Sequence, residues 1–352
     1  MAERISISPK GNFEVHLSKQ LRILISRPDR IGDVVLSTSL PREIKKKYSD
    51  SFVAVLVRNY TKDIYLNNPF VDEIIIYNEN DKGLKNFFED LKKIRSYKFT
   101  HALMLLPNER INYILFLAGI KTRIGVGHKL YQFLTFTKYV DRKKYIPLRH
   151  EADYCLDLIR KIGINPTSLE PEIFLTDEEK KLAQEFRNSI SVKGEKIIGV
   201  NTTSGNSAPN LNLTEYKKLI EKFATNKSYK VVVTDLFPPT DIHNIPNVVY
   251  PMKDDSLRNN IIKFSALDVL VSASTGPMHI CAALKVKTVS LFCPLTACSP
   301  KLWGPIGNES KILLPKENYC EKFCPIDPKK CKYEGDSGIN AEKIYEEVIK
   351  FI

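Results

Sequence analysis

Residues 267–284 set the terms for the whole chain. They open with an apolar run fit for a buried strand, Leu267-Asp268-Val269-Leu270-Val271. They then break into Ser272-Ala273-Ser274-Thr275-Gly276-Pro277 and resume as a compact, alanine-rich helix. The next apolar run, residues 286–292, follows at once and completes a βαβ unit. A hydroxyl-bearing turn therefore stands at a helix N-terminus, where free backbone N–H groups and the positive end of the macrodipole favour an anion. The plain alternative is an ordinary capped helix that binds nothing.

The same alternation runs through the rest of the sequence. In the first half, strand-like runs occupy residues 21–26, 52–57, 73–77, 101–106 and 123–126. Helical patterns cover residues 34–48, with Pro41 kinking or restarting the helix, a short piece at 63–67, then 84–95, 110–118 and 151–162. A bridging helix at residues 175–186 opens on Thr176-Asp177-Glu178-Glu179, an N-cap followed by an acidic first turn. A second series follows, with strands at 196–200, 230–233, 268–271 and 288–291 and helices at 213–224, 257–264, 277–284 and 341–351. Strands alternating with helices predict an α/β protein of doubly wound parallel sheets. At 352 residues two domains are expected: 1–174, 175–338, and a terminal helix at 339–352. Two such halves leave a cleft between the carboxyl ends of their strands.

Composition narrows the class. Hydrophobic residues make up 43% and charged residues 27%, as in soluble globular proteins. No apolar run approaches the roughly 18 residues of a membrane span, and residues 1–20 carry no signal-peptide core, so a cytoplasmic location is expected. The net charge of +12 calls for an anionic partner, with basic clusters at Arg42 and Lys45-Lys46-Lys47, at Lys92-Lys93, and at Arg142-Lys143-Lys144. No zinc-finger spacing, aromatic RNP-like run or basic zipper accompanies them, so no nucleic acid is expected. A phosphorylated lipid or an anionic membrane surface, met by peripheral contact, accounts for the same charge without those motifs. Cys320, Cys324 and Cys331, with Cys298, lie close enough in sequence to suggest zinc, but paired C-x2-C spacing is absent. Inert thiols in a local loop are the expectation, with no metal and no cofactor.

Three loops are expected at the cleft: residues 27–33, 201–207 and 272–276. Thr202, Thr203 and Ser204 in the second, with Ser274 and Thr275 in the third, could hold a diphosphate through hydroxyls and backbone donors. Across from them Asp33 sits at a helix start with Arg27 and Arg30 close by; its plain role is a helix N-cap. Other chemistries lack their signatures. There is no G-x-G-x-x-G after the first strand, no G-x-x-x-x-G-K-[ST], no G-x-S-x-G, and no Asp-x-Asp to hold a metal against a diphosphate.

Arg30-Ile31-Gly32-Asp33-Val34-Val35-Leu36, followed by Pro41, resembles the amino-terminal G-D-[VM] motif of the heptosyltransferase family, glycosyltransferase family 9. Ser274-Thr275-Gly276-Pro277-Met278-His279-Ile280-Cys281-Ala282-Ala283-Leu284 is similar to its carboxyl-half signature, and Phe292-Cys293-Pro294 with Trp303-Gly304-Pro305 to the segment after it. The resemblance implies a GT-B fold: two Rossmann-like domains, the first binding acceptor and the second a nucleotide-sugar. It implies inverting, metal-independent transfer of a heptose or related sugar from ADP-heptose or another nucleotide-sugar. The acceptor would be the lipopolysaccharide inner core or another cell-surface saccharide, met as a phosphorylated lipid-linked chain. Asp33 would then be the catalytic base, with Arg27, Arg30 and Gly32 on the acceptor side. Thr202, Thr203, Ser204, Ser274, Thr275, Gly276, Pro277 and His279 would face the donor, His279 being either a diphosphate contact or a core residue. The helix N-terminus is expected to depress the pKa of Asp33, with closure of the cleft raising it.

Two positions depart from the family pattern. Ser274 stands where many members carry Asp, and Pro209 stands where a Lys or Arg usually meets the donor phosphate, with Lys253 as the substitute cation. The second hypothesis is accordingly a catalytically silent homologue that binds saccharide or a partner protein.

Overall fold

The computed structural model describes residues 20–80, 83–192, 194–205, 207–252, 255–325, 327 and 330–352. Residues 1–19 of the polar leader, and Lys253, lie outside the described residues. Two six-stranded, all-parallel sheets make up the architecture. The first contains β1 (Arg22–Ser26), β2 (Phe52–Arg58), β3 (Glu73–Tyr77), β4 (His101–Met104), β5 (Thr122–Val126) and β6 (Lys138–Val140), in the order β3-β2-β1-β4-β5-β6. The second contains β7 (Lys196–Val200), β8 (Tyr229–Val233), β9 (Val248–Val249), β10 (Val269–Ala273), β11 (Lys287–Leu291) and β12 (Ser310–Leu313), in the order β12-β11-β10-β7-β8-β9. Counted from its own first strand, each sheet has the same doubly wound order. The direction of winding therefore reverses between β1 and β4 and again between β7 and β10, and crevices open at the carboxyl ends of those strands. The three expected loops leave β1, β7 and β10.

The central strands read as unbroken apolar runs because helices cover both faces. Ile23, Leu24 and Ile25 of β1 and Val269, Leu270 and Val271 of β10 are completely buried. The helices of the first half are α1 (Ile31–Val35), α2 (Ser39–Lys47), α3 (Leu84–Ser96), α4 (Glu109–Leu117), α5 (Leu130–Leu134) and α6 (Glu151–Arg160). Those after them are α7 (Asp177–Ile190), α8 (Leu213–Ala224), α9 (Leu257–Phe264), α10 (Gly276–Ala283), α11 (Pro300–Trp303), α12 (Tyr319–Phe323) and α13 (Ala341–Ile349). Pro41 restarts rather than kinks its helix. The Ser37 and Thr38 hydroxyls donate back to the carbonyls of Val34 (2.7 Å) and Val35 (2.8 Å), and α2 begins one residue later with Pro41 in its first turn, where a missing N–H costs nothing. Several elements go beyond the sequence expectation: α5, β6, β9 and β12 appear, and a 3₁₀ turn at Asn59–Ile64 replaces the short helix at 63–67. The terminal helix α13 packs on α8, with Ile344 and Val348 in the apolar cluster that also holds Tyr216, Leu219 and Phe223.

The halves are joined by apolar packing and by one buried cation. The largest apolar cluster runs from Ile23, Val34 and Val55 of the first half to Ile197, Ile261 and Ile280 of the second. Arg258 of α9 donates to the Asp63 carbonyl (3.1 Å), to the Phe174 carbonyl (2.6 Å) and to both oxygens of Glu179 (2.6 Å each). Glu179 also closes the capping box with Thr176 at the start of α7, so one guanidinium ties the first half, the crossover and the second half together.

Candidate active site

The two glycine motifs meet. A Cβ on Gly32 would lie 2.8 Å from Cδ2 of His279, and a Cβ on Gly276 would lie 3.0 Å from Cγ2 of Ile31. Glycine at both positions lets the N-terminal turns of α1 and α10 pack directly against each other at the floor of the cleft.

Asp33 is the third residue of α1, and the N-cap position belongs to Arg30, so Asp33 does not cap the helix. Its Oδ1 accepts from Nη2 of Arg27 at 2.6 Å. Arg27 is itself 3% exposed and continues inward, donating to the Leu105 carbonyl (2.9 Å) and to Oε1 of the buried Glu151 (3.4 Å). Glu151 in turn takes a two-point contact from Arg142 at 2.7 and 2.9 Å. The expectation of a depressed Asp33 pKa is overturned: it is pushed up to about 6. Burial is the largest cause and outweighs the pull of Arg27, while Asp29 and Glu151 add repulsion in the same direction. A helix of five residues has too little dipole at its third position to oppose this.

Opposite Asp33, the start of α10 presents the Ser274 hydroxyl and the backbone N–H of Gly276 on the small cavity; Pro277 has none to give. His279, one turn in, is 4% exposed. Burial and, secondarily, the neighbouring His150 push its pKa down to about 3, so it stays neutral at working pH. Asp33, Gly32, Arg30, Ser274, Thr275, Gly276 and His279 share a cavity of about 200 Å3 with Trp303. A second cavity of about 740 Å3 adjoins it through Arg30, Gly32, Thr275 and Gly276, and extends past Thr203, Ser204, Gly205 and Asn260. On its wall the buried Thr234 Oγ1 and Asn260 Oδ1 have no partner among the described residues.

Comparison with known proteins decides the class. The model of glycosyltransferase family 9 (heptosyltransferase) matches residues 256–331, the stretch that carries α9, α10 and the cysteine segment. The lipooligosaccharide heptosyltransferase 2 of Campylobacter jejuni is 25% identical over 347 residues, covering 94% of this chain and 99% of that one. Among solved structures, a glycosyl transferase family 9 protein from Veillonella parvula superposes with a TM-score of 0.74 at 23% identity, covering 94% of this chain and 95% of that one. The ADP-heptose lipopolysaccharide heptosyltransferase II of Escherichia coli does so with a TM-score of 0.71 at 18% identity, covering 94% and 98%. The chain is a glycosyltransferase that resembles family 9. Its fold is GT-B, two Rossmann-like sheets across one cleft.

In this glycosyltransferase several expected ligand contacts are instead committed to the protein. Arg27 lines neither cavity and lies behind Asp33, held to its carboxylate. Thr202 is 1% exposed, and its N–H (2.8 Å) and hydroxyl (2.9 Å) both donate to Asp235 at the end of β8. Thr203 does the same with its N–H (2.8 Å) and hydroxyl (2.5 Å), leaving only the outer face of its side chain on the large cavity. Thr275 is buried, with its hydroxyl turned to Ala273 O (3.3 Å) and Asn201 Oδ1 (3.5 Å). Ser204, Ser274, Gly276 and Pro277 line a cavity, as do Arg30 and Gly32. Pro209 is buried and lines neither cavity; the cations at the cleft among the described residues are Arg30 and Lys62, neither of which is ion-paired there. Asp235 escaped the sequence reading; its one signal is an acidic residue two positions beyond the apolar run of β8.

Cys298 borders the small cavity. Burial pushes the Cys293 thiol up to about 12 and raises Cys298, Cys320 and Cys331, so these sulfurs stay protonated. Among the described residues no group of three or more histidine, cysteine or carboxylate side chains is arranged to hold a metal ion. No helix among them is long and apolar enough to cross a membrane.

Proposed function

We propose that the protein transfers a heptose or related sugar, with inversion and without a metal, from ADP-heptose or a similar nucleotide-sugar to a lipopolysaccharide inner-core or other cell-surface saccharide. One observation carries the reading: Asp33 and the first turn of α10 line the same 200 Å3 cavity, which opens into a larger one of 740 Å3. Residues 1–174 serve the acceptor and residues 175–338 the donor, except that Arg30, expected on the acceptor side, and Lys62 reach across to the donor's large cavity. Asp33 removes the proton from the acceptor hydroxyl as its oxygen bonds to the anomeric carbon. The bond from that carbon to the diphosphate breaks on the opposite face, and the leaving group takes the electron pair. Its charge is met by the Gly276 N–H, the Ser274 hydroxyl, Arg30 and Lys62, which line the two cavities. Each well-aligned donor is worth about 3 kcal/mol in the transition state.

A carboxylate with a pKa of about 6 is ionised at neutral pH yet close enough to it to be an effective base. The relatives named as heptosyltransferases support the sugar, and the Escherichia coli enzyme supports ADP as the nucleotide. The test is a calorimetric and thermal-shift screen of nucleotide-sugars, followed by transfer assays on an inner-core acceptor. ADP-heptose should stabilise the protein selectively, and kcat/KM should rise with unit slope to about pH 6 and then level. Asp33→Asn should bind donor and transfer nothing. Indifference to every nucleotide-sugar would overturn the reading, and full transfer by Asp33→Asn would remove Asp33 from the chemistry.

A further inference from the structure

The least explained surface lies at the β6 edge of the first sheet. Leu130, Phe133 and Leu134 of α5 are 74%, 79% and 55% exposed, and Phe136, Tyr139 and Ile146 beyond them are 82%, 51% and 72% exposed. Contiguous apolar exposure of this kind on a charged protein marks a docking face. Around it stand Lys129, Lys138, Lys143, Lys144 and Lys161, all exposed and none in an ion pair among the described residues. Asp141, the acidic residue within the patch, faces His128 at 3.7 Å. A depression of about 700 Å3 lined by Leu130, Phe133, Phe136 and Tyr139 is flanked by Lys129, Lys138 and Lys161.

We infer that this face seats the protein on an anionic lipid bilayer, the aromatic and aliphatic tips entering the headgroup region and the lysines meeting lipid phosphates. Charge complementarity selects this occupant. Bulky apolar side chains ringed by unpaired lysines match an interface that is apolar inside and negative outside. A protein partner would instead need carboxylates set against each lysine.

The placement also suits the transfer site. The patch is built from the loops that follow β5 and β6, and Asp33 from the loop that follows β1. In a parallel sheet these leave the same edge. With the order β1-β4-β5-β6 and strands about 4.8 Å apart, patch and carboxylate are separated by about 15 Å. The loop after β6 is further tied to Asp33 through Arg142, Glu151 and Arg27. A lipid-anchored acceptor rising from the bilayer would therefore meet the cleft at the Asp33 side. This refinement rests on the proposed transferase function.

The experiment sediments the full chain with vesicles of phosphatidylcholine alone or containing phosphatidylglycerol, in the absence of donor. Binding to the anionic vesicles is expected, weakening as salt rises. Phe133→Ser with Phe136→Ser should reduce partitioning at least tenfold while leaving transfer to a soluble acceptor fragment unchanged. Lys129→Glu with Lys138→Glu should reduce it similarly, and these exposed positions leave folding intact. Equal binding by the variants, or equal binding to neutral vesicles, would overturn the assignment. So would a concentration-dependent oligomer that both variants dissolve, since the face would then be covered by a second copy. Because vesicle binding is read without donor, its failure is distinct from failure of the transferase reading, which the soluble-acceptor assay reports.

Discussion

Asp33 offers the sharpest test of the site's physics. Its carboxyl is pushed from an ordinary 3.8 up to about 6, which at about 1.4 kcal/mol per unit amounts to about 3 kcal/mol against the ionised form in the fold. Because the folded-state value is the higher one, the penalty is absent below about pH 4, where the group is neutral in both states. It grows as pH rises from about 4 to 6 and is constant above. Asp33→Asn keeps an oxygen for Nη2 of Arg27 at 2.6 Å but cannot ionise. The variant should therefore gain on the wild type by about 3 kcal/mol between pH 4 and pH 8, while losing transfer.

Urea unfolding of both proteins at the two pH values measures this as a difference of differences. Every other titrating group, His279 included, contributes equally to both and cancels. If the gap changes by less than about 0.5 kcal/mol, or the wild type gains on the variant as pH rises, then the Arg27 contact outweighs burial and the reasoning fails. A gain of the expected size would identify Asp33 as a base held at a cost to stability, the usual relation between strain and activity at a catalytic site.

Other substitutions follow from the same geometry. Gly32→Ala should lower stability by about 1–3 kcal/mol, because its Cβ would stand 2.8 Å from the buried His279 ring; a thermal-melt cycle with His279→Ala should recover part of the loss. Arg27→Met should cost about 3–5 kcal/mol by leaving Asp33 without its cation and Glu151 with Arg142 alone, and should move the acid limb of the pH–rate profile above 6, since Arg27 is the neighbour that lowers the Asp33 pKa. Arg258→Ala should cost about 2 kcal/mol or more through its lost charge-assisted bonds, and should split calorimetric unfolding into two transitions as the halves uncouple.

What the sequence made legible follows burial. Strands covered on both faces, such as β1, β2 and β10, are continuous apolar runs and stand out at once. The edge strands β6, β9 and β12 are two to four residues long and partly exposed, so no run marks them. The glycines announced themselves within their motifs, but the reason for them, the contact of α1 with α10, joins residues far apart in sequence. Polar residues were the hardest to assign, and the errors share one cause. Arg27, Thr202 and Thr203 sit at the right loops for ligand contact, yet their donors are taken by Glu151, Leu105 and Asp235, none of which lies near them in the chain. Spacing cannot show which polar groups are already satisfied. Among the described residues, groups still unspent at the cleft include Arg30 and Lys62, the Gly276 N–H and Ser274 hydroxyl at the start of α10, and the orphaned Thr234 Oγ1 and Asn260 Oδ1. A buried polar atom without a partner carries a desolvation cost of about 1–3 kcal/mol that a ligand can relieve. Donor affinity should therefore respond more to Asn260 and Thr234, which lie outside every motif, than to Thr202, which lies inside one.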